Sequence, residues 1–492
     1  MEKLKSAEVR ARINHPIIDS DGHTVEFLPA FIDVLKEVAG PKLADAYMKD
    51  SGFAKSMRWY ACSPKERLDH RLTRPPWWGV AMKNTLDRAT ASMPKLLYQR
   101  LDEIGLDFTV LYPTMGLGAP HIEDAELRRA SCRAFNTYHS RIFREYSDRM
   151  TPAACVPMHT PQEAIEELEY AAANLGMKAI MAAGYVVRPI PAHPTDHACW
   201  LDMFCLDSAY DYDPVWSKCV ELGVPLTFHS GSQGLGFRTS VSNYMYNHIG
   251  HFAAASEGLC KALFFAGVTR RFPQLKFGFL ECGVGWACNL YSDLIGHWKK
   301  RSRVGMQNYD PANLDREMLV ELYHRYGADL VNGRLDDPEM RRLAIVGFHS
   351  FTGASEEDPA WLDEFAQTGV TKPSDVPGLF VPNFYFGCEA DDPINAMAFD
   401  TKKNPYGARL RAIFSSDIGH WDVPDMREVA EEAHELVDEG VITEEDFRDF
   451  VFTNPVRLWT DMNPNFFKGT VIESHADKLL REPRQAHTAA GA

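Results

Sequence analysis

Pro16-Ile-Ile-Asp-Ser-Asp-Gly-His23 is a short apolar run that passes directly into a cluster of polar side chains. Pro16 to Asp21 is predicted to be a strand, and alternation along an extended chain puts Asp19, Asp21 and His23 on one side. Polar groups that point together into a core are costly unless something binds them. A divalent cation satisfies carboxylates and an imidazole together. The alternative is a turn that is capped by aspartate and glycine.

Further short apolar runs follow along the chain, with helical stretches between them. This alternation is typical of β-α units and a parallel sheet. Eight strands are the number that closes a (β/α)₈ barrel of the TIM type, so the sequence predicts this α/β fold. The predicted strands are Pro16 to Asp21, Phe108 to Pro113, Ala153 to Met158, Lys178 to Ala182, Pro225 to His229, Lys276 to Glu281, Asn383 to Cys388, and Ala412 to Asp417.

The spacing of these runs predicts one barrel domain, 1–492, with two insertions. The gaps after the first and sixth runs are too long for one helix, so we expect insertions at about 24–100 and 329–381. The polar C-terminal tail, about 469–492, is expected to be frayed at its end. Apolar residues at helical spacing predict helices over Asp124 to Tyr146, Pro161 to Asn174, Pro214 to Glu221, and His251 to Arg271.

The composition indicates a globular enzyme that acts on small molecules. The 492 residues are 45% hydrophobic, which is ample for a large core, and the formal charge of −16 argues against a nucleic-acid partner. No apolar run approaches the roughly 20 residues of a membrane span, and the N-terminus lacks a signal-peptide core, so we expect a cytoplasmic protein. The ten cysteines form no C-x-x-C pair, which indicates reduced thiols rather than a disulfide framework.

Two more polar residues end predicted strands. His229 ends the apolar part of Val224-Pro-Leu-Thr-Phe-His-Ser-Gly231, and Asp417 ends the eighth run. The carboxyl ends of barrel strands build the active site, and ring closure makes the first and eighth strands neighbours. Each residue alone has an ordinary alternative, a core histidine or a helix-capping aspartate. Together with Asp21 and His23, they predict a site for a divalent metal, which is zinc, iron or manganese.

Motifs of rival chemistries are missing from the sequence. It has no G-x-S-x-G nucleophile elbow, no G-x-x-x-x-G-K-[ST] phosphate loop and no H-E-x-x-H zinc helix, which favours the metal-dependent class. The glycine-rich segment Gly231 to Gly236 lacks dinucleotide spacing and is predicted to be a loop near the metal. His248 and His251 have the spacing of one helix face. They are predicted to touch substrate or metal, or else to support a ligand or fill the core.

Arg71 to Gly79, within the first insertion, combines paired prolines with paired tryptophans. This composition predicts an ordered loop over the mouth of a pocket. Arg74, Trp77 and Trp78 are therefore the candidate substrate contacts. The alternative is a hydrophobic anchor on the surface.

Five longer motifs accompany the predicted strands. They are Ile18 to His23, Thr227 to Gly231, Gly267 to Phe277 running into Glu281 to Trp286, Ser415 to Trp421, and Phe452 to Trp459. On these motifs the chain resembles the amidohydrolase-related proteins of the "amidohydrolase 2" group. This branch includes aminocarboxymuconate semialdehyde decarboxylase and aromatic acid decarboxylases. The resemblance covers most of the chain outside the insertions.

The resemblance implies a divalent metal that is held by Asp21, His23, His229 and Asp417. Asp21 stands where many relatives have histidine or glutamate, which keeps a ligand but changes its charge and reach. Glu281 stands where the characterised decarboxylases of the family have a histidine. It could act as a base, or bind a second metal together with His229, so one or two ions are expected.

The leading expectation is hydrolysis of an ester, amide or thioester of a small organic acid by metal-activated water, with Glu281 or Asp417 taking the proton. The alternative is non-oxidative decarboxylation, or hydration, of an aromatic or unsaturated acid, in which His251 or His420 handles the proton. A third possibility is an inactive barrel that binds a ligand. The expected partners are a small-molecule substrate and a second copy of the chain in a dimer, with no nucleic acid and no membrane.

Overall fold

Ten strands form the frame of the protein. The computed structural model describes residues 5–77, 83–193, 198–308, 310–347 and 363–483. The strands are β1 (Ile18–Thr24), β2 (Phe108–Pro113), β3 (Met150–Val156), β4 (Ala179–Ala182), β5 (Val186–Pro189), β6 (Cys199–Asp202), β7 (Leu226–Phe228), β8 (Phe277–Phe279), β9 (Phe384–Cys388) and β10 (Arg411–Phe414). Eight of them form one parallel sheet in the order β1-β2-β3-β4-β7-β8-β9-β10. The strands β5 and β6 pair separately as an antiparallel hairpin, which the sequence analysis did not predict.

Each of the eight predicted runs overlaps one strand of this sheet, which confirms the predicted barrel fold. The agreement is complete for β2, at Phe108–Pro113. The strands β7, β8 and β10 end before His229, Glu281 and Asp417. A polar residue at the end of an apolar run therefore marks the place where the chain leaves the sheet, at its carboxyl edge.

The ring of strands closes between β1 and the segment that follows β10. The Asp417 amide donates to the carbonyl oxygen of Asp21 at 3.0 Å, and the His23 amide donates to the carbonyl oxygen of Ile418 at 2.7 Å. Gly419 has a φ of +101°, and a Cβ atom there would lie 2.5 Å from the carbonyl oxygen of His23. Only glycine allows this close approach. The first and eighth strands are neighbours, as predicted, and backbone hydrogen bonds bring the ligand candidates together.

Helices occupy most of the chain between the strands. The four predicted helical segments correspond to the helices at 125–143, 161–169, 213–222, and 251–265 followed by 268–271. The helices are α1 (Ser6–Arg12), α2 (Leu28–Asp50), α3 (Gly52–Ala61), α4 (Pro64–Asp69), α5 (Thr85–Thr90), α6 (Pro94–Ile104), α7 (Ala125–Phe143), α8 (Pro161–Glu169), α9 (Asp213–Leu222), α10 (Tyr244–His248), α11 (His251–Phe265), α12 (Val268–Arg271), α13 (Gly285–Arg301), α14 (Arg316–Tyr326), α15 (Ala328–Val331), α16 (Pro338–Val346), α17 (Val376–Phe380), α18 (Ala396–Phe399), α19 (Val429–Asp438), α20 (Glu444–Arg448), α21 (Asn454–Thr460) and α22 (Glu473–Arg481).

The chain divides into two compact units. One comprises Met1–Ser292 and Pro377–Ala492 and contains the barrel, and the other comprises Asp293–Val376. The insertion predicted at 329–381 overlaps the second unit, which begins earlier in the chain. The predicted single-domain organisation and the bounds of the insertions remain predictions.

Two regions, the first insertion and the C-terminal tail, contain more helix than the sequence analysis expected. The region predicted as the first insertion contains most of the helices α2 to α6. The predicted tail, about 469–492, contains α22, whose Leu479 is buried. Its residues 484–492 lie outside the described part of the chain. In the described residues, no helix is both long enough and apolar enough to cross a membrane.

The centre of the sheet is held by aromatic side chains. Neighbouring rings have centroids 5.8 to 6.2 Å apart across β7, β8 and β9. These rings belong to Phe228, Phe277, Phe279, Phe384 and Phe386, all of which are buried. Interlocked aromatic residues of this kind leave little freedom to the strands that carry them. The residues that follow β7 and β8 consequently begin from a rigid backbone.

Candidate metal centre

Polar side chains from four strand ends meet at the carboxyl edge of the barrel. Asp21 and His23 lie on β1, His229 follows β7, Glu281 comes after β8, and Asp417 comes after β10. Two overlapping groups of described residues could hold a metal, and within each group the ligand atoms lie within 4.8 Å of one another: Asp21, His23 and His229 in one, and His23, Glu281, Asp417 and His420 in the other. The chain therefore assembles the predicted set from distant parts of the sequence.

The two imidazoles occupy the middle of the cluster. The Nε2 atoms of His23 and His229 are 3.2 Å apart. Asp21 Oδ1 lies 3.6 Å from both of these nitrogens. Asp417 Oδ1 is 3.3 Å from His23 Nε2, and Glu281 Oε2 is 3.2 Å from His229 Nε2. Two nitrogens and three carboxylate oxygens thus face one small space.

Burial of these groups disfavours their charged forms. It raises the pKa of Asp21, Asp417 and Glu281 well above the ordinary carboxyl value, and the Glu281 charge adds to the effect on Asp417. Burial also lowers the pKa of His23 and His229, so both imidazoles are neutral at pH 7. Neutral imidazole is the form that binds metals.

The donor set fits a divalent cation. Both carboxylate oxygens of Asp21 are buried and have no hydrogen-bond partner in the described part of the chain. None of the three carboxylates pairs with a lysine or arginine among these residues. Buried carboxylates without a cation are strongly unfavourable, and a divalent ion supplies the missing charge. Mixed oxygen and imidazole ligands suit zinc, iron or manganese.

Backbone strain marks two residues of the cluster. Glu281 has a φ of +49° and Asp417 a φ of +53°, in the left-handed region that non-glycine residues rarely adopt. Such conformations cost about 1 to 3 kcal/mol each and persist only when the surroundings enforce them. Both residues lie directly beyond a strand, where the chain turns sharply and aims the carboxylate inward.

Asp19 differs from the expectation that it joins Asp21 and His23. The pairing of β1 with β2 shifts register between Asp19 and Gly22. Asp19 Oδ2 accepts a hydrogen bond from Thr109 Oγ1 at 2.7 Å, and Asp19 Oδ1 accepts one from the Ser416 amide at 3.0 Å. The carboxylate of Asp19 therefore fastens β1 to its two neighbours instead of facing the ligand cluster.

His420 supports the ligand cluster from the loop after β10. Its Nδ1 is 2.6 Å from Asp417 Oδ1, and its Nε2 is 3.1 Å from Thr114 Oγ1. Its ring stacks on His23 with the centroids 3.8 Å apart. Burial lowers the pKa of His420 to about 3, so the ring is neutral and can orient Asp417 or exchange a proton with it.

A cavity of about 500 Å³ opens beside the cluster, and His229 lines it. Its walls come from α3, the segment Thr73 to Trp77, the loop after β2, the loop after β7 and the start of α11. Gly231, Gln233 and Gly234 line the cavity, in the glycine-rich loop predicted to lie near the metal. The apolar part of the wall includes Met57, Pro75, Pro76, Trp77, Met115, Leu117 and Phe252.

The proline-tryptophan segment is fastened to the chain that follows β7. Arg74 Nη1 donates to the carbonyl oxygen of Ser242 at 2.8 Å, and Asn247 Nδ2 donates to the carbonyl oxygen of Arg74 at 2.8 Å. His248 Nδ1 lies 2.9 Å from the carbonyl oxygen of Pro76. Arg74 and Trp77 both line the cavity, whereas Trp78 lies outside the described residues.

His251 lies at the first turn of α11 and lines the cavity. A Cβ atom at Gly231 would lie 2.2 Å from His251 Nδ1, so glycine is required there for the two chains to approach. Burial lowers the pKa of His251 to about 3. His248 has its ring centroid 5.6 Å from that of His251. His251 is therefore a neutral imidazole at the cavity wall, outside the two groups that could hold a metal.

The sequence analysis missed His121, which also lines the cavity. Its Nε2 lies 3.0 Å from Ser230 Oγ, and Ser230 Oγ accepts a hydrogen bond from the Gly184 amide at 2.8 Å. Burial lowers the pKa of His121 to about 4. The position of His121 soon after the second predicted strand was the available signal, because loops after barrel strands face the active site.

Trp77→Ala is expected to raise KM about fivefold with little change in metal content, because an aromatic contact contributes about 1 kcal/mol. Trp77 lines the cavity, and its ring centroid lies 6.0 Å from that of His420. Steady-state kinetics on several substrates measure the effect. Trp200→Ala, in the hairpin strand β6, is the matched control. Unchanged kinetics in Trp77→Ala would leave this segment as a surface anchor.

The sequence model described as Amidohydro_2, amidohydrolase, matches residues 69–331. No curated protein sequence matches the chain. Among solved structures, an amidohydrolase from Mycobacterium avium subsp. paratuberculosis K-10 has 15% identity and a TM-score of 0.49, covering 91% of this chain and 100% of that chain.

Two decarboxylase structures are also similar to this chain. The dihydroxybenzoic acid decarboxylase from Polaromonas sp. JS666, with bound manganese and an inhibitor, has 13% identity and a TM-score of 0.45, covering 91% of this chain and 97% of that chain. The 5-carboxyvanillate decarboxylase from Sphingomonas paucimobilis has 14% identity and a TM-score of 0.47, covering 90% of this chain and 98% of that chain.

Proposed function

Since this chain belongs to the amidohydrolase family, we propose that it is a metal-dependent decarboxylase of small aromatic or unsaturated acids. The observation that carries the proposal is the charge of the cavity beside the ligand cluster. Arg74 is the one ionised side chain among the described residues that line it, and His121, His229 and His251 are neutral imidazoles. None of the described residues that line the cavity has a carboxylate, in a chain with a formal charge of −16.

This charge distribution favours a substrate that is itself an anion. Hydrolysis of an ester or amide would start from a neutral acyl group, which gains nothing from a cationic wall. The apolar wall that includes Trp77 and Phe252 suits a planar ring or a conjugated chain. The volume of about 500 Å³ admits a molecule of that size.

The residues of the cluster divide the chemistry between them. A divalent cation held by Asp21, His23, His229 and Asp417 supplies, when bound, positive charge that attracts the acid group of the substrate. The bond between the carboxyl carbon and the adjacent carbon breaks, carbon dioxide leaves, and the electron pair stays on the adjacent carbon. That carbon must then take a proton from an acid side chain.

We assign that proton to Glu281. Its Oε2 is 3.2 Å from Nε2 of His229, closer than the Oδ1 atom of Asp21, and its side chain is only 8% exposed. The apolar wall limits the access of water, which could otherwise protonate the same carbon. His251, at the cavity wall, is the other group that could deliver a proton to a bound substrate.

A product analysis tests the proposal. The protein, loaded separately with zinc, iron and manganese, is incubated with aromatic and unsaturated acids and with the matching methyl esters and amides. We expect at least one acid to release carbon dioxide and form the product that lacks the carboxyl group. Cleavage of esters or amides with all the acids intact would refute decarboxylation.

Hydrolysis is the second candidate, and one contact favours it. His420 Nδ1 and Asp417 Oδ1, 2.6 Å apart, form a carboxylate-imidazole pair that can take a proton from water and pass it on. In that reaction Glu281 or Asp417 accepts the proton of the attacking water and returns it to the leaving group. The same substrate panel separates the two candidates, because only decarboxylation releases carbon dioxide.

A further inference from the structure

A second cavity, of about 490 Å³, lies beside the residues that lead into β1, at the opposite end of that strand from the metal centre. Its walls come from the chain before β1, the end of α20 with the turn that follows it, and α22. We call it the amino-end cavity. None of the described residues that line it also lines the cavity beside the ligand cluster. Barrel enzymes place their active site at the carboxyl edge of the strands, so the amino-end cavity is separate from the catalytic one.

The charged side chains of the amino-end cavity leave it with an excess of positive charge. Arg448 Nη2 lies 3.3 Å from Glu482 Oε2, so this pair holds the guanidinium at the wall while its two charges offset each other. Lys478, on the face of α22 that lines the cavity, forms no ion pair with any residue that the structure describes. Its ammonium charge is therefore available to a ligand, in a chain with a formal charge of −16.

His15 adds a buried hydrogen-bond acceptor to the same wall. The residue is only 7% exposed, and its ring stacks on Phe452 with the centroids 6.1 Å apart. His15 Nδ1 lies 3.1 Å from the carbonyl oxygen of Pro16, which can only accept, so Nδ1 carries the ring proton. Burial lowers the pKa of His15, and the charges of Arg448 and Arg10 add to the effect, so the ring is neutral at pH 7. Its Nε2 then has a lone pair to which no described residue donates a hydrogen bond.

We propose that the amino-end cavity binds a small acid that also carries a hydroxyl group, with either a phosphate or a carboxylate as its acid group. The acid group accepts charge-assisted hydrogen bonds from Lys478 and Arg448. The hydroxyl group donates to His15 Nε2, which is otherwise a buried acceptor without a donor. Phe452 and Leu479 supply apolar wall for the carbon chain between the two groups, and the volume of about 490 Å³ admits a molecule of metabolite size.

Isothermal titration calorimetry of the manganese-loaded full chain with glycerol 3-phosphate and with glycerate tests the site. We expect at least one of them to bind, the tighter one identifying the acid group, and Lys478→Met to raise its Kd about tenfold, because a charged donor is lost. Lys478 is exposed, so the variant should fold. Lys468→Met, at another exposed lysine that does not line the cavity, is the matched control and should leave the Kd unchanged. If neither acid binds, or if Lys478→Met binds as tightly as the wild type, the proposal is overturned.

The hydroxyl group is tested with ligands that lack it, propyl phosphate and propionate. The wild type should bind the matching one about fivefold more weakly, because one neutral hydrogen bond is missing. His15→Phe keeps an aromatic ring against Phe452 but has no nitrogen, so it should bind the two members of the pair equally. Thermal unfolding reports whether this variant is folded. A preference for the hydroxylated ligand that persists in folded His15→Phe would show that the hydroxyl group does not meet His15, and the proposed ligand class would be rejected.

Discussion

Glu281→Gln is expected to lower kcat by roughly 100-fold or more, the scale of a lost general acid or base, while the fold persists. Glu281 Oε2 lies 3.2 Å from His229 Nε2, and the residue is held in a strained conformation beyond β8. Glutamine keeps the size of the side chain but removes the proton that we assign to it. Single-turnover and steady-state kinetics, with metal analysis, measure the effect.

Glu145→Gln is the matched control for this variant, because Glu145 is exposed and precedes β3, at the amino end of that strand. Its substitution should leave kcat close to that of the wild type. A loss of one metal ion in Glu281→Gln would show that Glu281 is also a ligand, as expected for a second metal shared with His229. Nearly normal turnover in Glu281→Gln would mean that His251 or His420, and not Glu281, delivers the proton.

His229→Ala and Asp417→Asn are each expected to lose the metal and to lower activity at least roughly 100-fold while remaining folded. His229 Nε2 faces His23 Nε2 at 3.2 Å, and Asp417 Oδ1 lies 3.3 Å from His23 Nε2. Asp417→Asn also removes one of three buried carboxylates, so the metal-free variant should not be destabilised. Elemental analysis measures metal content, and thermal unfolding reports the fold.

His434→Ala controls for the removal of a histidine that lies away from the cluster, on α19. It should retain both metal and activity. If His229→Ala and Asp417→Asn both keep full metal occupancy, the assigned centre is wrong. If only one of the two variants loses the metal, the residue that is substituted in the other variant is not a ligand.

The sequence by itself determined the barrel and the positions of the ligand candidates along it. Apolar runs of strand length recur with helical segments between them, and this periodicity is a local property of the chain. His229, Glu281 and Asp417 could be placed because each follows an apolar run, and the carboxyl ends of barrel strands always share one edge.

Only the tertiary structure decided which polar residue does what at that edge. Asp19 and Asp21 are equivalent in the sequence pattern. At a register shift, however, the Asp19 carboxylate accepts hydrogen bonds from Thr109 and Ser416, whereas the carboxylate oxygens of Asp21 have no hydrogen-bond partner in the described residues. Nothing in the sequence pattern distinguishes His121, and only the fold brings its ring within hydrogen-bonding distance of Ser230.

The wall of the cavity could not be predicted from the sequence either. The segment that carries Arg74 and Trp77 reaches the cavity through hydrogen bonds to residues more than 160 positions away. Periodicity identifies a strand or an amphipathic helix from neighbouring residues, whereas these contacts join distant segments whose meeting is set by the packing of the whole fold.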